Sequence, residues 1–212
     1  MSYVVNLVLE GRVAVVVGGG PIAFRKAEDL VAAKAIVNVV ATEPCGDMRA
    51  LEESGCIVGI WRSYRKTDLY GAFLVIAATN DKAVNARVHR DAQSLGVLVN
   101  VVDDPPLCTF TVPATVRRGR LTLAVATDGS CPAFAGVLRE ELEAKYGPEY
   151  RDLVELMGDL RRQMVARRWD GDRIRRTIRE LYHDGVVEAL AMNDRQLVRK
   201  FVRAHLGPEF EV

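Results

Sequence analysis

Residues 12–27, RVAVVVGGGPIAFRKA, leave this chain little choice of fold. An apolar run from Val13 to Val17 ends in Gly18, Gly19 and Gly20 and passes directly into a stretch with helical spacing. A strand that enters a helix through a glycine turn is the opening of a dinucleotide-binding βαβ unit. In that reading Gly18 permits the tight turn and Gly20 lets the backbone approach a pyrophosphate. Ala23, in the third place of Gly18-x-Gly20-x-x-Ala23, keeps helix and strand close. The first amides of the helix then face the phosphates. Glycine turns also serve packing alone, so the context decides.

Apolar and helical segments alternate through the first half of the chain. Strands are expected at 12–17, 36–40, 56–60, 73–78 and 97–102. Helices are expected at 21–34, 46–54 and 82–95, the last from Val84, Val88, Ala92 and Leu95 at helical spacing. Short apolar strands separated by helices imply a parallel sheet covered on both faces, hence an α/β, Rossmann-like domain over residues 1–112. A β pattern continues at 109–113 and 121–126, joined by the basic turn Arg117-Arg118-Gly119-Arg120. From 133 onward the pattern is helical, with Leu153, Leu156, Leu160 and Met164 in one stripe and Leu197, Phe201, Val202 and Leu206 in another.

Composition narrows the classes. The 212 residues are 49% hydrophobic, enough for a substantial core, yet no apolar run approaches the ~20 residues of a membrane span. No positive cluster leads an apolar stretch at the N-terminus, so a cytoplasmic protein without a secretory signal is expected. Cys45, Cys56, Cys108 and Cys131 are scattered without a C-x-x-C pair, which argues against a disulfide framework or structural zinc. His89, His183 and His205 show no ligand spacing, and His89 reads as an ordinary helix residue. Residues 1–160 carry 17 basic and 20 acidic side chains, whereas residues 161–212 carry 12 and 8. The arginines of that tail form either a solvated helical face or a surface for an anionic partner.

Chemistry-bearing residues cluster after the strands. Glu43 follows the second strand, 25 residues beyond Gly18, where a carboxylate bonds an adenosine ribose hydroxyl and repels a 2′-phosphate; NAD is therefore favoured over NADP. Thr79 and Asn80 follow the fourth strand and Asp103 the fifth. Ligands of open α/β sheets lie beyond the carboxyl ends of the strands, so these three are expected near the cofactor's reactive end. Asp103 there is a proton acceptor, a cation ligand or a turn former.

Five stretches in order, VVGGGPIAFRKA (16–27), AATNDKAVN (77–85), NVVD (100–103), FTVPA (110–114) and SCPAFA (130–135), resemble the precorrin-2 dehydrogenase family, the NAD-dependent enzymes of siroheme synthesis, some of which are also sirohydrochlorin ferrochelatases. The resemblance covers residues 10–145. It implies a homodimer with a dimerisation region over 113–148 and a helical domain over 149–212. It also implies oxidation of precorrin-2 to sirohydrochlorin, with metal (Fe²⁺) insertion as a second activity of some members. Carried over by resemblance, Gly20, Pro21 and Ile22 lie at the pyrophosphate, Thr42 and Glu43 at the adenosine, and Asp103 is the catalytic carboxylate. Thr127 and Ser130 fall where relatives handle their tetrapyrrole. The eight carboxylates of that substrate give Arg117, Arg118 and Arg120 and the tail a use.

Three departures stand out. Ala33-Lys34-Ala35 replaces an Ala-Gly-Ala turn, Asn80 replaces an aspartate, and Asp128 and Cys131 alter a Gly-Gly-Thr/Ser-Ser-Pro stretch. No methyltransferase-like stretch is present, so methylation of uroporphyrinogen is expected on another protein. Two other classes compete: an NAD(H)-sensing regulator with a basic, DNA-binding helical tail, and a nucleotide-binding module of a transporter. The first lacks a convincing helix–turn–helix in 149–206, and the second has no need of Asn100-Val-Val-Asp103. The expected partner is a small tetrapyrrole, with neither nucleic acid nor membrane.

Overall fold

The valines of the first strand divide between two cores. The computed structural model describes residues 3–212, which fall into two compact units, one up to Val112 and one from Pro113. In the first unit, strands β1 (Val13–Val17), β2 (Ile36–Ala41), β3 (Ile57–Trp61), β4 (Leu74–Ala77) and β5 (Leu98–Val101) form a parallel sheet in the order β3-β2-β1-β4-β5. Ala14 and Val16 join Val37, Val39 and Ile76 in a core closed by helix α1 (Pro21–Ala32) and by Met48 of α2 (Gly46–Glu53). Val15 and Val17 join Val75, Val99 and Val101 in another, closed by Val88 and Ala92 of α3 (Lys82–Leu95). Burial on both faces explains why the strands are continuous apolar runs. Each fully buried valine or leucine contributes roughly 1.5–3 kcal/mol. The strand order reverses at β1 and β4, which opens a crevice beyond their carboxyl ends.

Helix boundaries follow local chemistry. Pro21 at N1 of α1 lacks only an amide that would have no acceptor there. The helix was expected to reach residue 34 but ends at Ala32. Lys34 adopts φ +59°, and the amides of Lys34 and Ala35 turn back to Val31 O (2.8 Å) and Leu30 O (3.0 Å). Asp81 caps α3 through Ala83 N (2.8 Å) and Val84 N (3.2 Å), and Gly96 ends it at φ +68°. A 3₁₀ turn at Lys66–Leu69 follows β3, and another at Pro105–Leu107 follows β5.

The strand expected at 109–113 does not form. Thr109 is tied to β5 by its amide to Val99 O (2.8 Å) and by its hydroxyl to Val99 N (2.8 Å), and Asn100 Nδ2 donates to Phe110 O (3.0 Å). Side chains here replace the ladder, and Pro113 has no amide to add. The strand is β6 (Ala114–Arg118), antiparallel to β7 (Leu121–Val125). Arg117 and Arg118 thus end a strand, and only Gly119 and Arg120 form the loop, with φ +58° at Gly119 as a two-residue hairpin requires.

The second unit adds helices α4 (Pro132–Lys145), α5 (Glu149–Ala166), α6 (Gly171–His183), α7 (Val186–Ala191) and α8 (Arg195–Leu206) to this hairpin. Leu160, Met164, Leu181 and Val202 form one buried cluster, Leu153, Val186 and Val198 a second, with Leu156 and Phe201 packed against both. Residues 113–212 group as one unit, where the sequence reading drew a boundary at 148. No described helix is long and apolar enough to cross a membrane. All four cysteines are free, and the described residues include no group of three or more His, Cys, Asp or Glu that could hold a metal ion.

Candidate nucleotide-binding cleft

The three glycines after β1 have different reasons to be glycine. Gly18 takes φ +134°, and a Cβ there would lie 2.4 Å from Ala78 O, so the turn is pressed against the end of β4. A Cβ on Gly19 would meet Glu43 O at 2.4 Å, and Cys45 N donates to Gly19 O at 2.8 Å, so the turn is also pressed against the chain after β2. Gly20 is unlike both. Its φ is an ordinary −82°, and a Cβ there would have nothing within 4 Å. Neither packing nor a left-handed backbone requires glycine at 20; it suits the start of the helix and leaves room for the close approach of a ligand. Gly20 is the N-cap of α1, without a side-chain cap. The first helical bond is Phe24 N to Gly20 O (3.0 Å), which leaves the amides of Ile22 and Ala23 without an intrahelical acceptor. Such a helix start suits a pyrophosphate.

These residues open onto a cleft of about 610 Å³ at the carboxyl end of the sheet. Thr42 and Glu43 line it after β2, Thr79 and Asn80 after β4, and Arg62 and Tyr64 after β3. Pro21 and Ile22 are the exposed first residues of α1. The β4–α3 loop is held from below by Asn85, a polar side chain only 7% exposed. Its Oδ1 accepts from the Thr79 hydroxyl (2.7 Å) and amide (3.3 Å), and its Nδ2 donates to Thr79 O (2.9 Å). The far wall is ordered by Tyr64, whose hydroxyl donates to Asp91 (3.1 Å) and whose carbonyl accepts from Arg87 (2.9 Å). Burial, then the bond to Asp91, raises the Tyr64 phenol well above its ordinary range, so it remains protonated.

Asp103 stands apart from this group. It is exposed, follows the edge strand β5, takes φ +60°, and does not line the cleft that Thr79 and Asn80 share with the glycine turn. The sequence reading placed all three together; β4 is central and β5 is outermost, and that one-strand offset separates them. The segment after Asp103 is well anchored. Cys108 Sγ lies 3.2 Å from Val101 N and Val101 O, its thiol pushed up by burial, and His89 Nδ1 is 2.8 Å from Leu107 O. His89 is therefore a tether rather than an ordinary helix residue.

In the second unit, Arg118 is already engaged, donating to Tyr146 O (2.9 Å) and Glu143 O (3.1 Å) at the end of α4, where its guanidinium satisfies carbonyls that helix geometry leaves open. It is thereby withdrawn from the substrate set. Arg117 and Arg120 have no such bonds. Thr127 and Ser130 form a turn before α4, with Ser130 N to Thr127 O (2.9 Å) and Cys131 N to Thr127 Oγ1 (3.3 Å). Several tail arginines are also engaged: Arg162 with Asp159, Arg175 with Asp172, Arg167 over Phe210 and Arg173 over Trp169.

Sequence reasoning missed Gly19, Asn85 and the Arg62–Tyr64 wall. The extra glycine inside Gly18-x-Gly20 and the second Asn of AATNDKAVN were signals for the first two; nothing in the sequence pattern marked the third.

Residues 5–114 match the family described as "Putative NAD(P)-binding". A siroheme synthase of Pseudomonas putida is 44% identical over 158 residues, 74% of this chain and 34% of that protein. Siroheme synthase 1 of Cronobacter sakazakii is 36% identical over 208 residues, 96% of this chain and 44% of that protein. The chain therefore spans less than half the length of these relatives. Among solved structures, SirC, a precorrin-2 dehydrogenase, superposes with a TM-score of 0.76 at 26% identity, covering 96% of this chain and 98% of its own. The family match over residues 5–114, together with the siroheme synthase relatives and the SirC neighbour, places the chain in the NAD(P)-binding family of precorrin-2 dehydrogenases and siroheme synthase N-terminal domains.

Proposed function

We propose that this chain oxidises precorrin-2 to sirohydrochlorin with NAD⁺ as a homodimer paired through residues 113–148. The observation that carries the cofactor half is Gly20, whose missing side chain serves no neighbour and leaves the α1 amides open to a pyrophosphate. The residues fit the group: glycine backbone at the phosphates with Pro21 and Ile22 beside it, and Thr42 and Glu43 at the adenosine ribose. When bound, NAD⁺ supplies the hydride acceptor.

The chain's own residues do the rest. Glu43 accepts a ribose hydroxyl, which fixes the register of the nucleotide along the cleft. Asn85 holds Thr79 and hence the β4–α3 loop, with Asn80, in one conformation. Asp103 takes the proton that leaves precorrin-2 as its hydride departs. Its left-handed backbone is tolerated by aspartate better than by most residues, and such strain is characteristic of functional sites. Arg117, Arg120, Thr127 and Ser130 supply donors for the carboxylates of the substrate.

The test is an anaerobic spectroscopic assay with enzymatically generated precorrin-2. Sirohydrochlorin should form with NAD⁺ and far less readily with NADP⁺; no oxidation with either overturns the reading. The same preparation given sirohydrochlorin and Fe²⁺ reads metal insertion.

A further inference from the structure

Arg62 is a cation at the wrong place for an NAD site. It is the first residue after β3, and Trp61 pairs with Ala41 in the sheet, so Arg62 and the Thr42-Glu43 pair leave adjacent strands side by side. All three line the cleft. An arginine beside the end of the second strand is what NADP-binding members of this fold use to hold the 2′-phosphate. Arg62 is nevertheless occupied. Nη2 donates to Asp68 Oδ1 (2.5 Å), and Nη1 donates to Asp68 Oδ2 (2.9 Å) and to Ser63 O (3.0 Å). The Nη1/Nη2 end of the guanidinium, one of the two edges that could grip a phosphate in bidentate fashion, is consumed, and its charge is balanced by Asp68. Asp68 has no freedom to let go. Its side chain is only 4% exposed against 35% for Arg62, and Oδ2 also accepts the Arg65 amide (2.8 Å), which closes the 3₁₀ turn Lys66–Leu69.

We infer that Asp68 is a specificity-determining residue: it withholds Arg62 from the 2′-phosphate of NADP⁺ and so enforces a preference for NAD⁺ that Glu43 alone would make weaker. This rests on the nucleotide reading of the cleft and adds a device to it. Glu43 repels the phosphate, and Asp68 removes the cation that would offset the repulsion. Arg87, the other arginine of the cleft, is likewise engaged, with Tyr64 O and the Tyr64 ring.

Calorimetric titration of NAD⁺ and NADP⁺ into wild type, Asp68→Asn, Arg62→Gln and Arg62→Gln/Asp68→Asn tests this. Asparagine still accepts the Arg65 amide but offers no charge and only one acceptor oxygen, so the guanidinium is released. Asp68→Asn should tighten NADP⁺ by about tenfold, the scale of one charge-assisted hydrogen bond, with NAD⁺ shifted much less. The double variant should lose that gain. Arg62→Gln alone leaves Asp68 without its counter-charge and should not tighten NADP⁺. The inference is overturned by unchanged NADP⁺ affinity in Asp68→Asn or by a gain that persists in the double variant. Should Asp68→Asn not fold, Asp68→Ser, whose hydroxyl also accepts the Arg65 amide, is read by the same two outcomes. Absence of binding of either nucleotide to wild type is a different result, which defeats the cleft reading itself and this device with it.

Discussion

Two helices of this chain begin alike and are held differently. Both α1 and α4 have proline in the first turn and no side-chain cap, after Gly20 and Cys131 respectively. The turn before α1 is fixed from outside: Gly18 lies against Ala78, Gly19 against Glu43, and Gly18 N donates to Val40 O at 2.9 Å. It cannot move unless three strands move. The turn before α4 has two bonds to Thr127, with Asp128 and Gly129 both left-handed at φ +52° and +78°. A helix start can serve as a rigid anion site only where its turn is held in place by its surroundings, as the sheet holds the turn before α1. In the proposed reading the first of these starts holds the pyrophosphate and the turn before α4 receives the substrate.

The largest expected effect breaks or confirms this division of labour. If the sheet's carboxyl edge carries the chemistry and the α4 turn only binds, Asp103→Asn should lower kcat by about 10²–10⁴-fold, the usual contribution of a positioned acid or base. Asparagine is at ease at φ +60°, so the melting temperature should hold. Asp104→Asn is the control and should be nearly silent. Ser130→Ala should raise KM for precorrin-2 with kcat retained. Steady-state kinetics on the three variants decide it, and the reverse pattern, kcat lost in Ser130→Ala and not in Asp103→Asn, would move the chemistry to the α4 turn.

The glycine turn offers the next test, because its members should fail in different ways. Gly18→Ala places a Cβ against the Ala78 carbonyl at a φ that suits only glycine, and should destabilise the fold by about 3 kcal/mol. Gly20→Val has open space and an ordinary φ, so thermal unfolding should barely change while NAD⁺ binding by calorimetry is largely lost. Equal NAD⁺ affinity in Gly20→Val would leave the open space there without a ligand to explain it.

These contrasts show what the sequence could and could not reveal. Strands such as VAVVV and LVIA are legible because a parallel sheet buried on both faces needs uninterrupted apolar runs. The glycine turn is legible because one local conformation demands it. Thr109 to Pro113 misled the strand reading because apolar and threonine residues also suit an irregular segment pinned to an edge strand by side chains. Arg62 and Asp68 were invisible for another reason. Their pairing spans six residues of irregular backbone, and no periodicity brings such partners together. Arg118 looked like a surface cation because nothing local announces that carbonyls 25 and 28 residues away will claim it.

The Arg62–Asp68 pair also predicts a pH dependence confined to the sheet unit. Burial alone would raise the Asp68 carboxyl, but bonds from Arg62 and the Arg65 amide, with both positive charges, hold it below its ordinary 3.8. A carboxyl depressed in the folded state contributes stability that is complete above its unfolded pKa near 4 and is lost as pH falls through the folded value. Urea midpoints should therefore separate wild type from Asp68→Asn at pH 7 and draw together as the pH falls below about 4. A gap of constant size would mean that the pair contributes no pH-linked stability.

The smallest effect lies at the other end of α1. Where its first turn starts from a glycine, its last turn lacks one: Lys34 holds φ +59°, a conformation that costs a side chain roughly 1–2 kcal/mol. The backbone bonds that end the helix, Lys34 N to Val31 O and Ala35 N to Leu30 O, need that conformation and not the side chain. The lysine gains only an exposed ion pair with Glu10 at 3.1 Å, of a kind worth about 0–1 kcal/mol. Lys34→Gly should therefore stabilise the protein, by about 0.5–1 kcal/mol after the greater entropy of glycine in the unfolded chain is charged against it. Lys34→Ala separates the causes, since it keeps the strain and loses the ion pair, and should destabilise slightly. Thermal melts of the two variants should move in opposite directions, by about 2–4 °C upward for glycine. NAD⁺ affinity should follow neither, because the amides that meet the pyrophosphate lie at the helix start and their positions are set by Gly18, Gly19 and the sheet. A melt lowered by Lys34→Gly would show that the Glu10 pair outweighs the backbone strain, and a changed NAD⁺ affinity would show that the two ends of α1 are coupled.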